Sequence, residues 1–265
     1  MSRTDSTPKS QGSKCLWLDE LSTKEAAEAA KNGEVVIFPV GSVEEHGEHL
    51  PLCTDSMQAE YVALEVARKT GCLVAPPFRY GICNAGRNFP GTLTIEFDTL
   101  YRLAKDVLSE LTRNGFGKII VLSGHAGQSH MVALRLASQN VVRQNEEANG
   151  KAKTRIMVLS DYDFASELNL KYASENDGHA GTVETSRMMA IKPELIKAAG
   201  AASYPSMPRF EVVAHTERYF PSGVIGDPTA ASASKGQKIN EYVVEQVIKL
   251  VRELESYLAY DSFQS

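Results

Sequence analysis

The sequence has few of the features that mark disulfide-rich or membrane proteins. Its 265 residues include four cysteines, none in a C-x-x-C pair or a spacing typical of a disulfide framework. This favours free thiols in a reducing compartment. No stretch approaches the ~18 consecutive apolar residues of a membrane span, and no apolar segment follows the first residues, so we expect neither a span nor a signal peptide. These absences favour a cytoplasmic protein that does not enter a membrane.

The charge distribution argues against a nucleic-acid partner. The 28 Lys and Arg residues are spread along the chain among 33 Asp and Glu residues, giving a formal net charge of -5. Without a basic cluster, nucleic acid is a poor candidate partner. The 43% apolar content suits a single α/β domain. Polar residues 1–14 lack periodicity and are predicted to be a disordered tail, with the domain at 15–262.

Short apolar runs alternate with amphipathic segments along the chain. The apolar runs predict strands at 34–41, 72–77, 118–124 and 154–163, and a fifth strand at the end of the loop segment 80–97. Helical spacing predicts helices near 22–33, 57–71, 98–115, 128–147, 183–191 and 229–259. Such alternation with short connections is typical of a mainly parallel sheet covered by helices on both faces.

Charged and polar side chains follow three of these predicted strands. The stretch "PVGSVEEHGEHLPLCTD" (39–55) follows the first strand, "GHAG" follows "KIIVLS", and "GHAGTVETS" comes after "RIMVLS". In open α/β sheets, ligands bind at the carboxyl ends of the strands, so the topology allows these clusters to converge. Their candidate functional residues are Glu44, His46, Asp55, His125, His179 and Glu184.

These residue types suit a site for divalent metal ions. Imidazole nitrogen and carboxylate oxygen bind Zn²⁺, Mn²⁺ or Fe²⁺ together. One aspartate can bridge two ions about 3.5–4 Å apart, a pair that acidifies water and polarises a carbonyl group. Glu44 and His46 point the same way in an extended segment, and Asp55 can return after a turn.

The alternative is that these side chains are ordinary loop or core residues. A single buried histidine is more commonly a hydrogen-bonded structural residue than a metal ligand. We interpret His49, His130 and His215 in that way: His49 could orient a neighbour, His130 lies within a predicted helix, and His215 has no evident partner. The metal hypothesis therefore depends on the three clusters together and not on any one residue.

Four segments in order resemble those of the creatininase (creatinine amidohydrolase) family. "GSVEEHGEHLPLCTD" is similar to the signature G-S-x-E-Q-H-G-x-H-L-P-x-x-T-D, and "FPGTLTI", "LSGHAGQ" and "DGHAGTVETS" match three further segments. The resemblance runs from about residue 16 to residue 250. It implies a three-layer α/β fold, two divalent metal ions (Fe²⁺, Zn²⁺ or Mn²⁺), and hydrolysis of a C–N bond in a small-molecule amide. It also implies a homo-oligomer, often a hexamer.

The resemblance also implies roles for the residues in the first and third segments. Carried over by motif, Glu44 and His46 each bind one metal ion. Asp55 bridges both ions, and His125 completes the ligands of the first.

The chain departs from the family pattern at the second metal ion. Creatininase uses a glutamate two residues after the histidine of the third segment, but Gly127 stands at that position. We expect Glu184 to supply the missing carboxylate. His179, together with Glu184, is the candidate acid and base.

Further departures bear on the substrate. Creatininase closes tryptophans over its ligand, but the only tryptophan here is Trp17. Many relatives have Glu-His before "xxFPGT", where this chain has Ala85-Gly86 and then Arg87 and Asn88. Arg87 and Asn88 are candidate phosphate-binding residues, although a solvated loop arginine is the more common case.

The loop "GICNAGRNFPGT" resembles archaeal relatives that remove a formyl group from a formamidopyrimidine ribonucleotide phosphate in flavin and deazaflavin synthesis. Deformylation of such a nucleotide, with release of formate, is therefore the first hypothesis. Three alternatives remain open: hydrolysis of creatinine or another cyclic amide, peptide trimming, and an inactive protein that binds metal and nucleotide.

Overall fold

A computed structural model describes residues 16–149, 154–198 and 200–256. The predicted disordered tail at 1–14 lies outside the described residues. The two ends of the predicted domain, residue 15 and residues 257–262, also lie outside them.

A four-stranded parallel sheet forms the centre of the described chain. Its strands are β1 (Val36–Val40), β2 (Leu73–Val74), β3 (Lys118–Ser123) and β4 (Arg155–Ser160). They lie in the order β2-β1-β3-β4, and every neighbouring pair is parallel. All five residues of β1 are buried, as expected for a strand covered on both faces. The predicted α/β class with a parallel sheet is confirmed.

Helices cover both faces of the sheet and complete three layers. The α-helices are α1 (Thr23–Lys31), α2 (Thr54–Thr70), α3 (Phe97–Arg113), α4 (Gln128–Asn149), α5 (Asp161–Ala165), α6 (Asn169–Tyr172), α7 (Thr182–Ile191) and α8 (Ala233–Ser256). Apolar side chains of α2, α5, α7 and α8 pack on one face of the sheet, and those of α1, α3 and α4 pack on the other. None of the helices in the described ranges is long and apolar enough to cross a bilayer.

Strand alternation explains how one sheet serves two cores. Val36 and Phe38 of β1 point into the layer with α3 and α4, whereas Ile37 points into the layer with α2 and α8. The same alternation in β3 sends Ile119 to the first core and Ile120 to the second.

Local capping explains where two of the elements begin. Ser22 and Glu25 form the predicted capping box of α1: the Glu25 N–H donates to Ser22 Oγ, and the Ser22 N–H donates to Glu25 Oε2 at 2.7 Å. Ser160 caps α5 in the same way with Asp163. This cap ends β4 at Ser160, three residues before the predicted end of the strand.

The strand predicted within 80–97 is wrong. Residues 80–96 form a loop that joins the rest of the structure through single backbone hydrogen bonds, such as Ile95 N–H to Gly81 O and Leu93 N–H to Val43 O, at 3.0 and 2.9 Å. The β-branched residues of "TLTI" suggest a strand, but the loop meets no neighbouring strand edge that would continue the ladder. It packs instead against the segment that follows β1.

Candidate metal centre

The predicted site residues come together at the carboxyl ends of β1 and β3. The segment after β1 supplies Glu44 and His46, and the segment after β3 supplies His125. Asp55 lies in the first turn of α2, not in the loop before it, because α2 begins three residues earlier than predicted. Glu184 lies in the first turn of α7, with His179 just before that helix.

The first group of side chains surrounds the ring of His125. Its Nδ1 lies 3.0 Å from Glu44 Oε2 and 3.0 Å from Asp55 Oδ2. Its Nε2 lies 3.0 Å from the carbonyl oxygen of Ile82. A carbonyl oxygen only accepts, so Nε2 carries a proton that it donates to Ile82, and this bond orients the ring. The unshared pair of Nδ1 then faces two carboxylate oxygens, an arrangement that only a cation or a proton can stabilise.

The second group surrounds His46. Its Nδ1–H donates to the Glu44 carbonyl oxygen at 3.1 Å. Its Nε2 lies 2.9 Å from Asp55 Oδ1 and 3.8 Å from Glu184 Oε2. Asp55 therefore directs one carboxylate oxygen at each imidazole ring.

Close backbone approaches hold Asp55 in this position. A Cβ atom at Gly124, directly after β3, would overlap the Asp55 carbonyl oxygen. Ser42 donates a hydrogen bond to Asp55 Oδ2 and is fully buried. Glycine at position 124 thus lets the end of β3 touch the start of α2. The sequence reading missed Ser42 because a lone serine in a loop carries no distinctive pattern.

A carboxylate that the sequence reading did not single out contacts His179. The Nε2 atom of His179 lies 2.7 Å from the Glu45 carbonyl oxygen and 3.2 Å from Glu45 Oε1. The ring of His179 is 4.3 Å from that of His46 and meets Phe220 edge to face, and Phe220 contacts Phe89. Glu45 stands where the family signature has glutamine, which was the only signal in the sequence.

Burial and charge shift the pKa values of the clustered groups in opposite directions. Burial alone would lower the pKa of His46, but Asp55 and then Glu184 raise it to about 10. Burial likewise opposes a charge on His125, yet Glu44 and Asp55 raise its pKa well above the usual range. Burial would raise the pKa of Asp55, but the two imidazoles hold it well below the usual range. Without a metal ion, protons on both rings therefore balance the carboxylates.

The pKa shifts of Glu184 and Cys83 follow burial. Burial, the largest influence, raises the pKa of Glu184, although His46 and His179 oppose it. Burial and then the carboxylates of Glu44 and Asp55 raise the pKa of the Cys83 thiol.

The residues fit divalent metal ions in two positions. Ligand atoms of His46, His179 and Glu184 lie within 4.8 Å of one another. Those of Glu44 and His125 lie equally close together in a separate group. Glu44 Oε2 is buried, and the Nδ1 atom of His125 is its neighbour at 3.0 Å. Mixed imidazole and carboxylate donors of this kind suit zinc, manganese or iron.

Gly127, where creatininase has a glutamate, packs directly on His125. A Cβ atom at Gly127 would overlap His125 Nε2. The observed position of the His125 ring is therefore incompatible with any side chain at residue 127. Glu184 Oε2 lies 3.8 Å from His46 Nε2, which makes Glu184 a candidate to supply this carboxylate.

The other three predicted structural histidines have partners. His49 Nε2 lies 3.1 Å from the Ala180 carbonyl oxygen and supports the turn in which Ala180 has a φ of 52°. His130 Nδ1 accepts from the Ile82 N–H at 3.3 Å, and burial lowers the pKa of His130 to about 3. His215 lies in a loop, and its partner, which the sequence did not identify, is Glu217: the Nδ1 atom lies 3.0 Å from a Glu217 oxygen.

The predicted phosphate-binding residues lie on the loop beside Glu44. Gly86 of this loop is so close that a Cβ atom there would lie 3.0 Å from Glu44 Oε1. The neighbouring Arg87 side chain is 58% exposed, and its guanidinium lies 3.8 Å from Glu96. Asn88 donates to Glu217 at 2.8 Å. The Arg87 guanidinium is thus accessible to a ligand, whereas the Asn88 amide is already hydrogen-bonded to Glu217.

Comparisons with known proteins agree with this geometry. The family model for creatininase (creatinine amidohydrolase) matches residues 19–251. Creatinine amidohydrolase from Pseudomonas putida is 28% identical over 257 residues, which cover 91% of this chain and 98% of that enzyme. A mycofactocin precursor peptide peptidase from Mycobacterium ulcerans is 28% identical over 251 residues, which cover 88% and 91% of the two chains.

Solved structures of creatininase share the fold and hold metal. A glutamate-to-glutamine variant of the zinc–zinc type and a manganese form each align with a TM-score of 0.78 and 28% identity, covering 91% of this chain and 98% of theirs. With the family model matching most of the sequence, the predicted resemblance is confirmed: the chain belongs to the creatininase family of metal-dependent amidohydrolases.

Proposed function

We propose that this protein hydrolyses the C–N bond of a small-molecule amide at a centre of two divalent metal ions. The observation that carries the proposal is the position of Asp55, whose two oxygens face the acceptor nitrogens of His46 and His125 at 2.9 and 3.0 Å. Glu44, Asp55 and His125 would hold the first ion. His46, Asp55 and Glu184 would hold the second.

The metal ions supply one part of the chemistry and the side chains supply another. A pair of bound divalent ions acidifies water and polarises the carbonyl group of a substrate. The nitrogen that leaves an amide must gain a proton, and His179 is the group we assign to deliver it. The Glu45 contacts fix the orientation of the His179 ring. The inactive alternative is less well supported, because Glu184 replaces the carboxylate that Gly127 lacks.

Because we assign Glu184 as a metal ligand and His179 as a proton donor, their substitution should affect the number of bound metal ions differently. Glu184→Gln should leave about one ion per subunit, because the second position loses a charged ligand while the first keeps all of its own. His179→Gln should keep both ions and lose activity by about 10²- to 10⁴-fold, as expected for a lost proton donor. Metal analysis of the purified variants measures the occupancy, and Glu241→Gln on the exposed face of α8 serves as a matched control.

The opposite pattern would contradict these roles. If Glu184→Gln retained both ions, Glu184 would not be a ligand. If His179→Gln lost an ion, His179 would be a ligand instead of a proton donor.

Metal affinity should fall as the pH is lowered. The pKa of His46 is raised to about 10 and that of His125 is also raised, so the metal-free protein holds both protons at neutral pH. Each ion must displace such a proton, and the apparent affinity should rise up to ~10-fold per pH unit for each proton released. Calorimetry in two buffers of different ionisation enthalpy counts these protons. Binding without proton release, at an affinity independent of pH, would contradict the protonated resting state.

For the substrate, we propose a formylamino-pyrimidine ribonucleotide monophosphate, hydrolysed with release of formate in flavin or deazaflavin biosynthesis. The exposed guanidinium of Arg87 could bind a phosphate through two parallel hydrogen bonds. A Cβ atom at the preceding residue, Gly86, would lie 3.0 Å from Glu44 Oε1, so the backbone that carries Arg87 passes beside a proposed metal ligand. Phe220 packs edge to face on His179 and on Phe89, so aromatic rings lie beside the proposed proton donor. The proposal includes Asn88 as a second substrate-binding residue, which would exchange its hydrogen bond with Glu217 for one with the substrate.

Peptide trimming is the second candidate function. The observation that favours it is the 28% identity with the M. ulcerans peptidase across nearly the whole chain. Creatinine hydrolysis is the third, although the described chain offers no tryptophan near the site and Trp17 packs beside β2 instead.

Arg87→Ala separates these substrates. It should raise KM for the phosphorylated formamidopyrimidine riboside on the order of 10- to 100-fold, because one charge-assisted contact is lost. The dephosphorylated riboside should change little. Arg102→Ala, an exposed arginine on α3, is the control, and formate release is the assay. Equal effects on both ribosides would remove Arg87 from the phosphate site, and rapid hydrolysis of creatinine or a peptide without formate release would overturn the substrate assignment.

A further inference from the structure

We propose that the Cys83 thiolate is an additional ligand at the first metal position and makes that position prefer zinc or cobalt over manganese. The inference builds on the proposed two-metal function and adds a sulfur ligand that the family motifs do not include. Cys83 lies in the loop 80–96. The structure, unlike the sequence, shows that this loop packs beside the proposed metal ligands.

The Cys83 sulfur belongs to the same group as two proposed ligands of the first ion. Cys83 Sγ, a carboxylate oxygen of Glu44 and a ring nitrogen of His125 all lie within 4.8 Å of one another. Around one tetrahedral zinc ion, with bonds of about 2.0–2.3 Å, ligand atoms are roughly 3.5 Å apart. Small side-chain movements therefore bring all three atoms into bonding distance of one ion.

The backbone fixes the sulfur beside the imidazole with which it would share the ion. The Ile82 carbonyl, directly before Cys83, accepts the hydrogen bond that orients the His125 ring, at 3.0 Å. The Cys83 N–H donates to Thr94 Oγ1 at 2.9 Å across the loop. Cys83 is 1% exposed, so its sulfur faces the protein interior and not the solvent.

A second observation at this position points to a bound cation. Glu44 is 3% exposed, and its Oε2 lies 3.0 Å from the Nδ1 atom of His125. A buried carboxylate is costly without a neighbouring positive charge, so a cation must take the place of the His125 proton whenever that proton is displaced. Such a cation would hold Glu44 and Cys83 together, and the thiol would release its proton to solvent on binding.

Sulfur at the first position would make the two positions unequal. Glu44, Asp55, His125 and Cys83 together complete a four-ligand set, whereas His46, Asp55 and Glu184 supply three side chains and leave room for water or substrate. A thiolate favours zinc, cobalt and iron over manganese and magnesium. The first position should therefore hold the more tightly bound ion.

Cobalt substitution tests the sulfur ligand without an activity assay. The protein loaded with Co²⁺ should have a sulfur-to-cobalt charge-transfer band in the near ultraviolet. Cys83→Ser should lose this band. Cys53→Ser should keep it, because Cys53, two residues before Asp55 in the sequence, is outside the ligand group. Competition between zinc and manganese should shift toward manganese on the order of 10-fold in Cys83→Ser only.

Each contrary result has a distinct meaning. Two bound cobalt ions per subunit without a sulfur band in the unaltered protein would overturn the Cys83 assignment and leave the two-metal function intact. The same band in Cys83→Ser would also overturn it. Failure to bind cobalt or zinc at all would overturn both. Because the unaltered protein answers the main question, poor folding of a variant does not affect the test.

Discussion

The structure of the site depends on one buried carboxylate held between two oriented imidazole rings. His46 and His125 each donate one ring N–H to a backbone carbonyl, that of Glu44 and that of Ile82. These bonds turn the other nitrogen of each ring toward Asp55. Because backbone carbonyls cannot rotate away independently, the loops after β1 and β2 set the direction of both rings. The spacing of the metal ligands is thus built into the backbone.

Without a bound cation, this arrangement of buried charges lowers the free energy of unfolding. The carboxyl groups of Glu44, Asp55 and Glu184 are all buried. Burial opposes the ionisation of each of them. Buried charges of this kind are tolerated at functional sites and balanced by neighbouring structure. Arg187, three residues after Glu184, is fully buried and donates to Asp161 and Asn240. It anchors α7, and with it the position of Glu184.

The features that depend on local sequence patterns, such as the four strands of the sheet, were predicted correctly. Short apolar runs identified β1, β3 and β4, and the position of Glu44, His46 and His125 after strand ends followed from parallel-sheet topology. The strand predicted within 80–97 failed because β-branched residues also occur in extended loops, and only tertiary contacts decide whether a partner strand lies alongside.

The parts that could not be predicted depend on contacts distant in sequence. Glu45 reaches His179 across 134 positions, and the Cys83 region reaches His125 across 43. Gly127 lacks the carboxylate of the family pattern, and its missing side chain also leaves the space that the His125 ring occupies. No periodicity or motif spacing carries this information, because it exists only after the loops have packed together.

Anomalous X-ray diffraction from zinc-loaded crystals tests the central proposal most directly. Two zinc peaks about 3.5–4 Å apart, one on each side of the Asp55 carboxylate, are the expected result. The peak beside His125 and Glu44 should also lie within bonding distance of Cys83 Sγ. No peak at Asp55, or a single peak bound by only one of the two histidines, would contradict the two-metal centre.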